Sequence, residues 1–154
     1  MKKSNVILVI IVIIIILLGS WYLMSTKSTQ PKLYPSNTEQ TNDKPVIKVS
    51  SDPILGDYLV ASNGMTLYLF TKDIVNVSNC YDTCAINWPP YSLSADETLI
   101  SGDNVLGKIS TINRNDGSTQ LAYNGIPLYF WKNDVKPGDT TGQNVGGVWF
   151  IVKP

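Results

Sequence analysis

The chain has 154 residues, twelve acidic and twelve basic side chains, a formal net charge of zero and no histidine. Balanced charge without a like-sign block leaves no footprint for nucleic acid or an anionic surface, and Arg114, the only arginine, makes a poor phosphate clamp. The missing histidine removes the commonest general base and metal ligand, so Ser-His-Asp and Cys-His catalysis are excluded.

Residues 1–5 are short and basic, and Val6 to Leu18 are thirteen consecutive apolar residues. Gly19 to Met24 extend the stretch to nineteen before Lys27. As a helix, 6–24 would span roughly 28 Å, enough for the hydrocarbon core. Lys2 and Lys3 hold the N-terminus in the cytoplasm, and Trp21-Tyr22 suit the far interface. Bulky residues occupy the place where a signal peptidase site would fall. The expectation is therefore an uncleaved transmembrane signal anchor, with a cleaved secretory signal as the alternative. Either way the remainder is exported.

Residues 25–45 are rich in Ser, Thr, Asn, Gln and Pro and nearly free of apolar side chains. Such a segment cannot offset its ordering entropy by burial, so it reads as a flexible linker with a reach of roughly 25 Å.

From 46 to 154 the composition is globular, with short apolar runs cut by Gly, Asn, Asp and Pro. The pattern predicts a mainly β, small antiparallel domain. Asn63-Gly64 lies between candidate strands 57–62 and 65–70, and Asn124-Gly125 between 119–123 and 126–131. Both dipeptides suggest type I′ hairpin turns. Asn115-Asp116-Gly117 would join 108–113 to 118–123, and 148–152 looks like a closing strand. Residues 82–88 invite a helical turn with Asp82 as N-cap.

The chain repeats itself. Gly64-Met-Thr-Leu-Tyr-Leu-Phe-Thr-Lys-Asp73 recurs sixty-one residues later as Gly125-Ile-Pro-Leu-Tyr-Phe-Trp-Lys-Asn-Asp134. Ala61, Asn63 and Trp88 recur at the same offset as Ala122, Asn124 and Trp149. Two pseudo-symmetric hairpin repeats follow, about 57–90 and 118–152, each marginal alone.

On a strand, Tyr68 with Phe70, and Tyr129 with Trp131, share one face, while Leu67 with Leu69, and Leu128 with Phe130, form the other. Strands apolar on both faces are covered on both sides, so these aromatics read as core, with a ligand-binding shelf as the alternative. Asp73 and Asp134 follow their strands and suggest turn residues bonding local N–H groups. A hard-cation site lacks the spacing of a calcium loop. A proton-sharing pair at the axis lacks the Asp-Thr/Ser-Gly flank. Cys80 and Cys84, the only cysteines, predict a structural disulfide in an exported domain, ahead of a redox-active pair or a metal site.

These elements together resemble the bacterial secreted repeats of unknown function, predicted lipoproteins with a Tyr-x-(Phe/Trp/Tyr)-x-x-Asp motif. The resemblance runs from Ile54-Leu-Gly-Asp-Tyr-Leu-Val60 through both motif copies, Cys84-Ala-Ile-Asn-Trp-Pro-Pro90 and Arg114-Asn-Asp-Gly-Ser118 to Pro137-Gly-Asp-Thr-Thr-Gly142 and Trp149. It implies an envelope protein with no catalytic residue to carry over. Many relatives carry a lipidation cysteine just after the signal; here the first cysteine is Cys80, which leaves anchoring to the helix. The functional expectation is a non-catalytic binding or structural module, without cofactor or metal, meeting the membrane and an envelope protein, polymer or small ligand but no nucleic acid. The alternative is an accessory of envelope redox or electron transfer using Cys80 and Cys84.

Overall fold

The computed structural model describes residues 44–94 and 97–154. The expected anchor, 6–24, and residues 25–43 of the expected linker lie outside the described residues. Among those described, no helix is long and apolar enough to cross a membrane.

The architecture is mainly β. Its elements are β1 (Ile47–Asp52), β2 (Gly56–Ala61), β3 (Tyr68–Phe70), α1 (Thr83–Asn87), β4 (Ile109–Asn113), β5 (Thr119–Tyr123), β6 (Ile126–Pro127) and β7 (Trp149–Ile151). They form small antiparallel sheets, β1-β2, β3-β7 and β4-β5-β6. Strand β1 went unread in the sequence, because it follows directly on linker-like composition. Asp52 turns it into β2 by accepting the Ile54 and Leu55 N–H groups on Oδ1, both at 2.8 Å.

The two Asn-Gly turns differ. Asn124 (φ 51°) and Gly125 (φ 80°) both occupy the left-handed region, with Tyr123 opposite Ile126, as a type I′ turn requires. The expectation of a second type I′ turn at Asn63-Gly64 is corrected, since only Gly64 (φ 85°) has positive φ there. Gly64 N–H donates to Ala61 O (2.9 Å) and Ala61 N–H to Met65 O (2.8 Å), closing a three-residue loop that ends in a left-handed glycine. Asn63 Oδ1 accepts the Met65 N–H at 3.0 Å.

The candidate strands 65–70 and 126–131 are also shorter than expected, because each changes partner midway. Leu67 N–H still reaches its hairpin neighbour at Leu59 O (3.0 Å), and Leu128 N–H reaches Leu121 O (2.9 Å). Beyond those bonds, Tyr68–Phe70 pairs with Trp149–Ile151. In the other copy, Tyr91 N–H donates to Leu128 O (2.9 Å) and Phe130 N–H to Pro89 O (2.8 Å), with Pro90 opposite Tyr129. Segments 88–91 and 149–152 are themselves sixty-one residues apart. Each copy therefore closes its motif strand with the tryptophan-bearing segment of the other. Pro89 and Pro90 lack N–H groups, so the second pairing remains a bridge rather than a ladder. The expected closing strand, 148–152, closes the opposite repeat.

The two faces of the motif strands bury against different cores. Leu67, Leu128 and the half-buried Leu69 and Phe130 join Val46, Ile47, Leu59, Leu121 and Val152. Tyr68, Tyr129, Trp88 and Trp149 pack with Tyr58, Val60, Cys80 and Ile151, with Phe70 and Trp131 at the margin. Strands apolar on both faces are thus covered on both sides.

Helix α1 forms where expected. The Asp82 side chain does not cap it: with φ 51° and ψ −125° rather than extended angles, the residue makes no side-chain cap bond.

Candidate functional site

The repeated motif meets itself at the centre of the fold. Tyr68 and Tyr129 lie opposite each other, each N–H donating to the other's carbonyl at 2.9 and 3.0 Å. From that ring the phenols extend to opposite copies. Tyr68 donates to Asp134 Oδ2 and Tyr129 to Asp73 Oδ2, both at 2.6 Å.

Each aspartate is presented by a tight turn, Asp73 N–H donating to Phe70 O (3.0 Å) and Asp134 N–H to Trp131 O (3.1 Å). Their second oxygens serve the expected local role. Asp73 Oδ1 accepts Asn79 N–H at 2.6 Å, and Asp134 Oδ1 accepts the N–H (3.0 Å) and hydroxyl (2.7 Å) of Thr141. The sequence revealed this half of each aspartate's work. It did not reveal the half that crosses between copies. The two carboxylates do not share a proton, for each faces a phenol. Among the described residues no group of three Cys, Asp or Glu side chains gathers as a metal site.

The other singled-out aromatics stack beside the clasp. Phe70, Trp149, Trp88 and Trp131 form one column with centroid spacings of 4.3, 3.9 and 4.1 Å. Trp88 and Trp149 are nearly parallel at 5°, while Tyr68 and Tyr129 meet them edge-on at 5.4 and 5.2 Å. Members of the two copies alternate along the column. Edge-to-face and offset pairs contribute about 0.5–1.5 kcal/mol each beyond their burial.

The surroundings are not symmetric. The Tyr129 hydroxyl also bonds Ser78 Oγ (2.8 Å), which accepts from Arg114 Nη1 (2.8 Å). Arg114, buried despite its charge, further donates to Gln120 Oε1 (2.5 Å), Cys80 O (2.7 Å) and Asp116 Oδ2 (3.2 Å), and lies over the Tyr81 ring. The Tyr68 hydroxyl instead accepts Gly142 N–H at 3.2 Å. The arginine network was missed in the sequence. Its one visible signal was that Arg114 stands alone of its kind.

Burial, reinforced by the facing aspartate, pushes both phenols far above the ordinary tyrosine range, so both remain proton donors. Burial also raises the Asp73 carboxyl, opposed by the Tyr129 hydroxyl, the Asn79 N–H and the Arg114 charge. Among the described residues every buried side-chain nitrogen and oxygen has a partner.

Cys80 and Cys84 form the expected disulfide, with Cα atoms 5.2 Å apart. It fixes the loop that supplies Ser78, Asn79 and the Cys80 carbonyl to this network.

The turns cross over as well. A Cβ at Gly125 would stand 2.8 Å from Val75 Cγ1, and one at Gly64 would stand 3.0 Å from Pro137 Cβ. Each aspartate-bearing loop folds over the Asn-Gly turn of the other copy. A hollow of about 490 Å³ near Lys48, Asp57 and Asp103 is lined by none of the motif residues.

A family model described as a secreted repeat of unknown function matches residues 51–91 and 110–153, more than half of the chain and once per copy. That description agrees with an extracytoplasmic address. The chain matches no curated protein and no solved structure.

Proposed function

Because the chain belongs to the secreted repeats of unknown function, we propose that it is a non-catalytic extracytoplasmic module, held at the membrane by residues 6–24 and acting through its outer surface. The crossed pair Tyr68–Asp134 and Tyr129–Asp73 carries this reading. The chemistry-bearing residues of the motif are committed to holding one copy against the other. A buried phenol that burial keeps protonated, bonded to a carboxylate whose second oxygen is also occupied, works as a clasp. Phe70, Phe130 and Trp131 are the motif aromatics with some exposure; Phe70 and Trp131 are packed on one ring face within the column, and Phe130 lies against Tyr91.

The reading is tested in cells with the full chain. External protease should reach the domain once the envelope is opened from outside, and the chain should stay with membranes after alkaline washing. Release by washing would overturn the anchor, and shielding by the inner membrane would overturn the address. A Tyr129→Ala protein that stays fully stable yet loses its envelope role would turn the clasp into a ligand site.

The redox alternative gains no separate support: Cys80 is fully buried and its carbonyl is engaged by Arg114. Replacing both cysteines by serine should lower stability by about 2 kcal/mol and leave the envelope role intact. Loss of that role with the fold retained would favour the redox reading.

A further inference from the structure

Folding assembles an apolar knob that the turn beneath it does not need. Residues 74–77 close on themselves, Ile74 N–H to Val77 O (3.3 Å) and Val77 N–H to Ile74 O (2.9 Å), and Asn76 N–H to Gly125 O (2.7 Å) fixes them over the second Asn-Gly turn. The segment carrying Leu106 reaches the same turn, where Gly107 N–H donates to the Tyr123 hydroxyl (2.6 Å) and Lys108 N–H to Asn124 Oδ1 (2.9 Å). Ile74 and Val75 are each 61% exposed, Val77 40% and Leu106 84%.

The first copy supplies an internal control. There Gly64 is covered by the loop 135–138, Val-Lys-Pro-Gly, whose Pro137 packs on the turn and which leaves one apolar chain, Val135, outward. Covering an Asn-Gly turn therefore does not require an Ile-Val-Asn-Val sequence. Exposed Lys72 and Lys108 stand two residues from Ile74 and Leu106 in the chain; Asp73 is buried, and exposed Asp103 lines the hollow with Lys48. Composition shows no basic block; folding brings the Lys108 backbone to the Asn124-Gly125 turn that the 74–77 loop also covers.

We propose that this knob docks onto the anionic lipid surface of the membrane that carries the chain, which rests on the anchored reading above. Four apolar side chains fall well short of the roughly 1,000 Å² that a stable protein partner buries. A lipid surface asks less. In the anchored reading only twenty-one residues, 25–45, separate the domain from the span, so it sits at high effective concentration beside the bilayer, where apolar tips and flanking lysines both contribute.

The test is amide hydrogen exchange on the full chain in lipid nanodiscs, with phosphatidylglycerol present or with phosphatidylcholine alone. Residues 74–77 and 105–107 should exchange about tenfold more slowly in the anionic discs, while 135–138 stay unchanged. An Ile74→Ser, Leu106→Ser double variant should lose the protection. Equal exchange in both discs, with the chain retained, overturns the proposal. Protection that appears only in native membranes overturns lipid in favour of a protein partner. If the chain leaves the discs, the anchored reading has failed and binding of released chain to phosphatidylglycerol vesicles decides: binding abolished by the double variant supports docking, and no binding overturns it.

Discussion

The two Asn-Gly turns carry the same dipeptide sixty-one residues apart, yet one is a two-residue turn and the other a three-residue loop. The two Tyr-Asp bonds, by contrast, are both 2.6 Å. Equivalence is thus enforced at the buried clasp and relaxed at the turns on the rim. An extra loop residue at the rim shifts only local pairing. The same shift at the clasp would turn Tyr68 and Phe70 to the opposite face, since side chains alternate along a strand. The centre holds the two copies to one arrangement, and the rim leaves each free to differ.

The comparison breaks most forcibly at the tyrosines. Tyr68→Ala or Tyr129→Ala empties a fully buried site between the copies and should cost about 3–5 kcal/mol in denaturant unfolding. Tyr129→Ala should be the worse of the two, because it strips Asp73 and Ser78 of a shared partner. Small losses would mean that the crossing is incidental, and equal large ones that the Ser78 side adds nothing to it.

Conservative changes separate the halves more finely. Tyr129→Phe leaves buried Asp73 with the Asn79 N–H alone, whereas Tyr68→Phe leaves Asp134 with both Thr141 donors. Both should cost about 1–3 kcal/mol, with Tyr129→Phe the larger. Unfolding midpoints of the two variants decide the order, and the reverse order would show that Arg114 and Ser78 compensate fully.

Much of this centre was legible in the sequence. A fixed offset marks a duplicated unit, and Tyr-x-Phe alternation against Leu-x-Leu marks a strand covered on both sides. What could not be read is partner exchange. A strand's own residues say which faces are apolar, and they do not say whether 149–152 closes its own repeat or the other. Proline hid the matching pair, since Pro89-Pro90 does not look like a strand. The Asn63 turn was misread for a related reason. Asn-Gly is favoured in both turn types, and its side-chain bond to Met65 N–H selects between them. Arg114 showed only Asp116 nearby in the chain, while its buried partners come from segments 78–80 and 120.

At the rim the copies should respond alike. Gly64 and Gly125 both have positive φ, and an added Cβ meets Pro137 or Val75 across the crossing. Alanine at either position should cost about 1–2 kcal/mol from the left-handed backbone alone. The shorter approach at Gly125 adds slightly more there. Thermal midpoints would measure the pair, and a tolerant Gly125→Ala would mean that the 74–77 loop shifts freely.

The smallest effect is also the most diagnostic of the asymmetry, and it appears as a dependence on pH. Burial raises the Asp73 carboxyl above the ordinary aspartate value, so the folded chain holds that proton more tightly than the unfolded chain does. Its contribution to stability is fully present below about pH 3.9 and is lost as pH climbs through the raised folded value. Asp73→Asn removes this titration while keeping an acceptor for one of the two donors. Its amide can face Tyr129, whose hydroxyl then donates to Ser78. Stability of the wild type relative to Asp73→Asn should therefore fall across that window and stay flat above it. The exposed Asp52 and Asp116 carboxyls, held below the usual range by local hydrogen bonds, act with the opposite sign and weaken the fold as pH falls. They are common to both proteins and cancel in the difference. A difference curve that rises with pH would mean that the Tyr129 and Asn79 hydrogen bonds and the Arg114 charge outweigh burial at Asp73.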